Sequence, residues 1–199
     1  MRVVVVGASG DIGQAVCCAL AGRHEVIRAG RRGADVKVDL SDTRSVQAMF
    51  EQIGAVDAVV STAGEVHFAP LEEQTSETIL HGLQHKVMGQ VNLVLAGMHV
   101  IAQGGSFTLT SGVLDRDPIP MGTGAATANA ALAGFVRGAA IELPRRLRVN
   151  LVSPGLLDVS VPRYGAWFAG HEPVAAARVG QAYVKSVEGG LTGQVIVVA

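Results

Sequence analysis

The chain is poor in the residues that most often carry chemistry. Two cysteines, Cys17 and Cys18, stand side by side in 199 residues, and no third exists to pair with either. A disulfide framework is excluded, a reducing compartment suits the composition, and the pair reads as small buried packing residues on a helix. No group of His, Cys, Asp and Glu has metal-ligand spacing, so no metal is expected. Charge of neither sign predominates, with a formal net of −1, which offers no footprint for nucleic acid. No apolar run is long enough for a signal peptide or a membrane span, and a cytoplasmic protein is expected. Only 4% of residues are aromatic, so the core must come from Val, Leu, Ile and Ala. That is the usual filling of a parallel sheet covered by helices. Lysine occurs three times, as Lys37, Lys86 and Lys185, and tyrosine twice, as Tyr164 and Tyr183.

What is present alternates. Short apolar runs predict strands at Val3 to Val6, Glu25 to Ala29, Val36 to Val38, Ala58 to Ser61, Ser106 to Leu109, Arg148 to Val152 and Gln194 to Val198. Helical patterns fall between them at Asp11 to Ala21, Asp42 to Ile53, Ser76 to Ile101, Thr123 to Leu143 and Pro173 to Val187. In the long one, Leu80, Leu83, Val87, Val91, Val94 and Met98 form an apolar stripe. Between the second and third strands the connection is too short for a crossover helix. The pattern predicts one α/β domain over residues 1–199, a doubly wound parallel sheet of about seven strands with helices on both faces.

Gly7-Ala8-Ser9-Gly10-Asp11-Ile12-Gly13 joins the first strand to the first helix and fits G-x-x-G-x-x-G. Gly7 permits a tight turn, Gly10 lets backbone approach a pyrophosphate, and Gly13 lets the helix pack closely. Unpaired N–H groups at the helix start, with Ser9, Asp11 and Ile12 around them, then face the phosphate oxygens. The competing reading is a plain glycine turn, but the strand–turn–helix context is the one a dinucleotide site requires. After the second strand the chain offers Arg31 and Arg32 and no carboxylate until Asp35. Arginine there accommodates the 2′-phosphate of NADP, whereas an acid would bind the ribose of NAD. NADP(H) is therefore favoured over NAD(H), with Arg31 the phosphate ligand; the alternative is two solvated loop arginines.

Taken together, these residues resemble the short-chain dehydrogenase/reductase family over almost the whole length. Asp39-Leu40 is similar to the family's adenine-contacting pair after the third strand. Thr62-Ala63-Gly64 resembles its Asn-Ala-Gly, with Thr62 in the asparagine place. Thr110-Ser111-Gly112 resembles the segment that carries the catalytic serine, with Ser111 in that place. Ser153-Pro154-Gly155 resembles the turn beside the nicotinamide. The chain is shorter than usual for the family, chiefly in the second crossover and the substrate loop, and it ends without the usual C-terminal extension. The resemblance implies a small-molecule substrate, no membrane or nucleic-acid partner, and a homodimer or homotetramer built on the fourth and fifth helices.

The family's Tyr/Lys pair is missing. A tyrosine there moves the substrate proton, and a lysine at i+4 lowers its pKa and binds ribose. The matching helix places Ala125 where the tyrosine stands and Asn129 where the lysine stands. Asn129 keeps the capacity to hydrogen-bond a ribose hydroxyl but carries no charge. Two residues are candidates to compensate. Lys86, three residues before Gly89, occupies the place of an active-site asparagine and borders the apolar stripe. It is either a lysine of lowered pKa acting as acid, base or ribose ligand, or a lysine snorkelling from a helix edge. Tyr164 follows the Pro-Gly turn, where the family keeps its substrate lid. It is either a donor swinging over the nicotinamide, or, with Trp167, a wall of the pocket. His67 is expected near the pocket mouth, and His85, next to Lys86, is expected at helical spacing to point elsewhere than that lysine.

These features support an NADP(H)-dependent oxidoreductase acting on a small carbonyl, alcohol or activated alkene, with Ser111 polarising the substrate oxygen. The alternatives are a catalytically silent NADP(H)-binding sensor or scaffold, and a non-redox enzyme on the same fold.

Overall fold

The computed structural model describes all 199 residues. The strands are β1 (Arg2–Val6), β2 (Glu25–Gly30), β3 (Val36–Lys37), β4 (Ala58–Ser61), β5 (Ser106–Thr110), β6 (Arg148–Pro154) and β7 (Val195–Val198). They form one sheet in the order β3-β2-β1-β4-β5-β6-β7, and every pairing is parallel. Strand order reverses between β1 and β4. The loops that leave the C-terminal ends of these two strands diverge to opposite sides there, which opens the crevice used by such sheets.

The period-two alternation of β1 explains the two-faced core. Val4 and Val6 turn to one face, with Val59, Phe107 and Leu109. Val3 and Val5 turn to the other, with Ala58 and Val60. Helices α2 (Thr43–Ile53), α4 (Gly89–Gly97) and α5 (Thr123–Glu142) cover the first face, and α3 (Ser76–Gly82) packs against α5. Helices α1 (Asp11–Leu20) and α7 (Ala176–Glu188) cover the second. These two press together where a Cβ on Gly180 would stand 2.7 Å from the carbonyl oxygen of Ala15. A short helix, α6 (Val161–Tyr164), lies in the segment after β6. No helix is long and apolar enough to cross a membrane.

Several elements depart from the sequence reading. The predicted helix from Ser76 to Ile101 is α3 and α4 joined by a wide π turn over Leu83–Met88, and it ends at Gly97. The N–H groups of Val100 and Ile101 both donate to Gly97 there, and the rings of Phe50 and Phe107 leave no room for a side chain at Gly97. Because the π turn carries more residues per turn than an α-helix, a stripe read at helical spacing drifts across it. Val87, Val91 and Val94 are buried, but Leu80 is 59% exposed. The last helix starts at Ala176 rather than Pro173, because Val174 is drawn into a bridge with Leu157. Asp42 is not helical. Its carboxylate caps α2 by accepting from the N–H of Arg44 at 2.9 Å. Cys17 is half-buried, but Cys18 faces solvent rather than the core.

Candidate active site

Three glycines shape the turn after β1, each for a different reason. Gly7 has φ +84°, and a Cβ there would meet Ala63 N and Thr62 Oγ1 at 2.9 Å. A Cβ on Gly13 would stand 2.1 Å from the carbonyl oxygen of Gly7, so α1 packs on its own loop. Gly10 has an ordinary extended backbone, and its added Cβ would meet only Gly7 O, at 3.6 Å. Neither conformation nor internal packing requires glycine at position 10. A ligand coming close to that backbone would, and a diphosphate at the start of α1 fits such a requirement.

A cleft of about 550 Å³ opens from this turn across the ends of β1, β2 and β4. It gathers Gly7, Ser9, Gly10, Arg31, Arg32, Asp39, Leu40, Thr62, Ala63 and Gly64 from the sequence reading, and adds Glu65 and His85. Arg31 lies 3.9 Å from Glu65. Asp39 accepts from both the N–H and the hydroxyl of Ser41, which holds its carboxyl below the usual range. Thr62 Oγ1 donates to the carbonyls of Val6 and Gly7 and so ties β4 to the turn. His85 lines this cleft whereas Lys86 turns to Ser111, so the two neighbours point apart as helical spacing predicts; the His85 ring lies 4.2 Å from that of His81, tilted by 40°. His67 is exposed on the loop after β4, its carbonyl against Gly124 of α5.

Asp11, Ile12, Gly13, Pro154 and Gly155 are not on the cleft wall. Ile12 packs into the α1–α7 side of the core. Asp11 turns its carboxylate to Ser160 and Arg163, and these hydrogen bonds, that from Arg163 foremost, hold it below its ordinary value. Gly155 donates to Val198, closing the end of β6 onto β7.

Beyond Gly64 the second half of the site begins. Lys86 runs over this glycine so closely that a Cβ there would stand 2.6 Å from Lys86 Cγ. Lys86 is partly buried as a residue, but its ammonium end is enclosed, and Nζ donates to the carbonyl of Ser111 at 3.2 Å. Burial pushes its pKa down to about 8, against the opposing pull of Asp115. Gln90, fully buried one turn later, fixes the arrangement. Its Nε2 donates to the carbonyls of Lys86 and Thr110, and its Oε1 accepts from the N–H of Thr110. Apolar periodicity hid Gln90; a polar residue inside a buried stripe was the available signal.

Ser111 is buried at the end of β5, with Oγ 3.5 Å from the carbonyl of Val152. Asn129 Nδ2 donates to Gly112 O at 3.1 Å, which orients the amide and leaves its buried Oδ1 without a partner. An unpartnered acceptor at that position suits a ribose hydroxyl. Ala125 is buried in a small apolar cluster with Val113, Leu114 and Ile119, against which Phe68 and Phe168 also pack. The tyrosine place is thus filled by hydrocarbon. Neither tyrosine replaces it. Tyr183 is buried on α7 with its hydroxyl on Thr110 Oγ1, its pKa raised by burial. Tyr164 stands on α6, outside the cleft, with Arg163 over its ring and Trp167 6.1 Å away.

A family model described as enoyl-(acyl carrier protein) reductase matches residues 2–185. An uncharacterized oxidoreductase of Methylorubrum extorquens is 31% identical over 193 residues, covering 85% of this chain and 77% of that protein. A hydroxynaphthalene reductase-like protein of Metarhizium majus is 28% identical over 149 residues, 72% of this chain but only 56% of its own length. The crystal structure of the protein lin1944 from Listeria innocua superposes with a TM-score of 0.98 at 45% identity, with both chains fully covered. A small-chain dehydrogenase solved in complex with NADPH superposes with a TM-score of 0.85 at 30% identity, covering 100% of this chain and 96% of that one. With a seven-stranded parallel sheet, a glycine turn between β1 and α1 and these relatives, the chain belongs to the short-chain dehydrogenase/reductase family and is an NAD(P)-dependent oxidoreductase.

Proposed function

We propose that the protein is an NADP(H)-dependent reductase of a small carbonyl compound or activated alkene, and that Lys86 supplies the proton that the family takes from tyrosine. The observation that carries this is the enclosed ammonium of Lys86 on the carbonyl of Ser111, with Gly64 left bare to admit its stem. The dinucleotide, when bound, supplies the hydride.

The first glycine turn and the start of α1 hold the diphosphate, and Asp39 and Leu40 flank the adenine. Arg31 and Arg32 receive the 2′-phosphate, with Glu65 holding Arg31 near the cleft. The NADPH complex of the small-chain dehydrogenase supports this choice of dinucleotide. Asn129 Oδ1 accepts from a ribose hydroxyl, and Ser111 Oγ donates to the substrate oxygen. Lys86 Nζ, held by Gln90 through its own backbone carbonyl, is protonated at neutral pH and gives its proton to the oxyanion that forms. The hydroxynaphthalene reductase-like relatives support a ring carbonyl as one acceptable substrate form. Leu95 on α4 and Ile141 on α5 are exposed and support pairing of two copies along these helices.

Calorimetry with NADPH and NADH tests the binding half. NADPH should bind more tightly, and Arg31→Ala should remove most of the difference while leaving NADH unchanged. Equal affinity for both dinucleotides in the parent protein would overturn the assignment of Arg31. For the catalytic half, Lys86→Met should retain NADPH binding and lose most turnover; full turnover would refute the role of Lys86.

A further inference from the structure

Resting on that function, we infer that the substrate is a planar, ring-conjugated carbonyl of quinone type, stacked on an aromatic shelf made by Phe68, Trp167 and Tyr164. Two independent observations meet here. The first is the shelf. Aromatics are scarce in this chain, yet Phe68 and Trp167 lie with ring centroids 6.0 Å apart, and Trp167 and Tyr164 6.1 Å apart. Trp167 and Tyr164 remain 44% and 42% exposed, although both are among the residues most readily buried in a core. Phe68 packs on the cluster around Ala125 and Leu114, so the shelf starts at the apolar filling of the tyrosine place and extends outward along the segment after β6. The rings are tilted to one another by 33° and 45°, Arg163 lies over one face of Tyr164, and Phe68 carries the row to the cluster that fills the tyrosine place.

The second observation is the weakness of the proton supply. Reducing an isolated ketone leaves an alkoxide nearly as basic as hydroxide. Such an anion needs a strong, well-aimed acid as it forms, and the residue that provides one is absent from α5. A phenolate is far less basic, its parent acid having a pKa of about 10. Here the hydride would form an O–H bond at one quinone oxygen as its bond to C4 of the nicotinamide breaks, the ring π pairs would shift so that the far C=O pair moves onto its oxygen, and that phenolate would take one proton from Lys86 Nζ. The quinone gains two electrons, the dihydronicotinamide is oxidised by two, and Lys86 is reprotonated from water. A lysine ammonium suffices for this transfer, and no phenol at the place of Ala125 is needed.

Trp167 is the sole tryptophan, so intrinsic fluorescence reports the shelf directly. Duroquinone is a suitable probe because its ring is fully substituted and does not alkylate the exposed Cys18. Added to the NADP⁺-loaded protein, it should quench Trp167 saturably, whereas menthone, a saturated ring ketone of the same carbon number, should not. Tyr164→Leu should weaken duroquinone binding about fivefold, the scale of one aromatic contact, and Tyr164→Phe should restore it. With NADPH under anaerobic conditions, duroquinone should be reduced at least tenfold more efficiently than menthone or a linear crotonyl thioester, by the same aromatic preference and lower proton demand. Menthone or the thioester as the better substrate, or no quench by duroquinone, would overturn the inference. Calorimetry with NADPH on the same protein separates the two levels. Heat with NADPH but no quench rejects the substrate class alone; no heat rejects the function beneath it and this inference with it.

Discussion

Replacing Lys86 by methionine should make the protein more stable and less active at once. The enclosed ammonium has its pKa pushed down from 10.5 to about 8, a shift of about 2.5 units, or at most about 3 kcal/mol at 1.36 kcal/mol per unit. The sign follows from proton binding. Between about pH 8 and pH 10.5 the unfolded lysine keeps its proton while the folded one has released it, so stability rises across that window. Below about pH 8 both forms are protonated and the folded state carries the whole penalty. Methionine has a similar length and no charge to desolvate. It also gives up the hydrogen bond to Ser111 O, worth about 1 kcal/mol, which leaves a net gain of about 2 kcal/mol at neutral pH. For a chain of this size that is a rise in Tm of roughly 4–8 °C. Thermal unfolding of parent and Lys86→Met without nucleotide, followed by circular dichroism from pH 7 to pH 10, reads the effect. The gap should be widest at pH 7 and close as the parent approaches pH 10. A constant gap, or a methionine variant less stable throughout, would refute the burial of a charged Lys86. In the same series, reduction by the parent should fall as pH rises through about 8, because the proton to be donated has gone.

Four further substitutions separate fold from site. Gly10→Ala should leave Tm unchanged, since the new Cβ meets only Gly7 O at 3.6 Å, but cut NADPH affinity at least tenfold by crowding the diphosphate, whereas Gly13→Ala, with its Cβ 2.1 Å from Gly7 O, should lower Tm sharply. Calorimetry and thermal unfolding of the two variants check both halves. Gln90→Leu strips the buried N–H and carbonyl of Thr110 of their partners and should cost about 2–4 kcal/mol in urea unfolding, with kcat falling more than KM as Lys86 loses its anchor. Asp11→Asn removes the carboxylate that holds Ser160 and Arg163, so Trp167 fluorescence should lose anisotropy while far-ultraviolet circular dichroism stays the same.

How much could be read beforehand depended on the kind of physics involved. The valine-rich β1 and the glycine turn after it follow from short-range rules, and the parallel sheet of seven strands follows from strand–helix alternation; these were legible. The π turn over Leu83–Met88 was not, because a widened turn leaves no residue signature distinct from the α-helix around it. That single feature takes Leu80 out of the buried stripe that its spacing predicts. The absence of tyrosine and lysine from α5 was visible in the letters. What fills the space was not, since Phe68 and Phe168 reach Ala125 from loops far away in the chain. Likewise, Gln90 matters through partners on β5 that only the fold brings near.

The filled tyrosine place also limits how the site can have been rearranged. A phenol at position 125 would enter a cluster formed by Val113, Leu114 and Ile119, with two phenylalanines against it, so Ala125→Tyr alone would bury a hydroxyl among hydrocarbon. The aromatic chain from Phe68 to Tyr164 depends on that same cluster, because Phe68 is the ring that joins the two. Loss of the tyrosine and gain of the shelf are therefore one structural event, and restoring the phenol should disturb stacking instead of rescuing proton transfer. Ala125→Tyr with Asn129→Lys tests this in one protein. Duroquinone should bind more weakly to it, and reduction of menthone should not rise. A double variant that gained menthone reduction and kept the quench of Trp167 would show that shelf and donor are independent, and the coupling argued from Phe68 would fail.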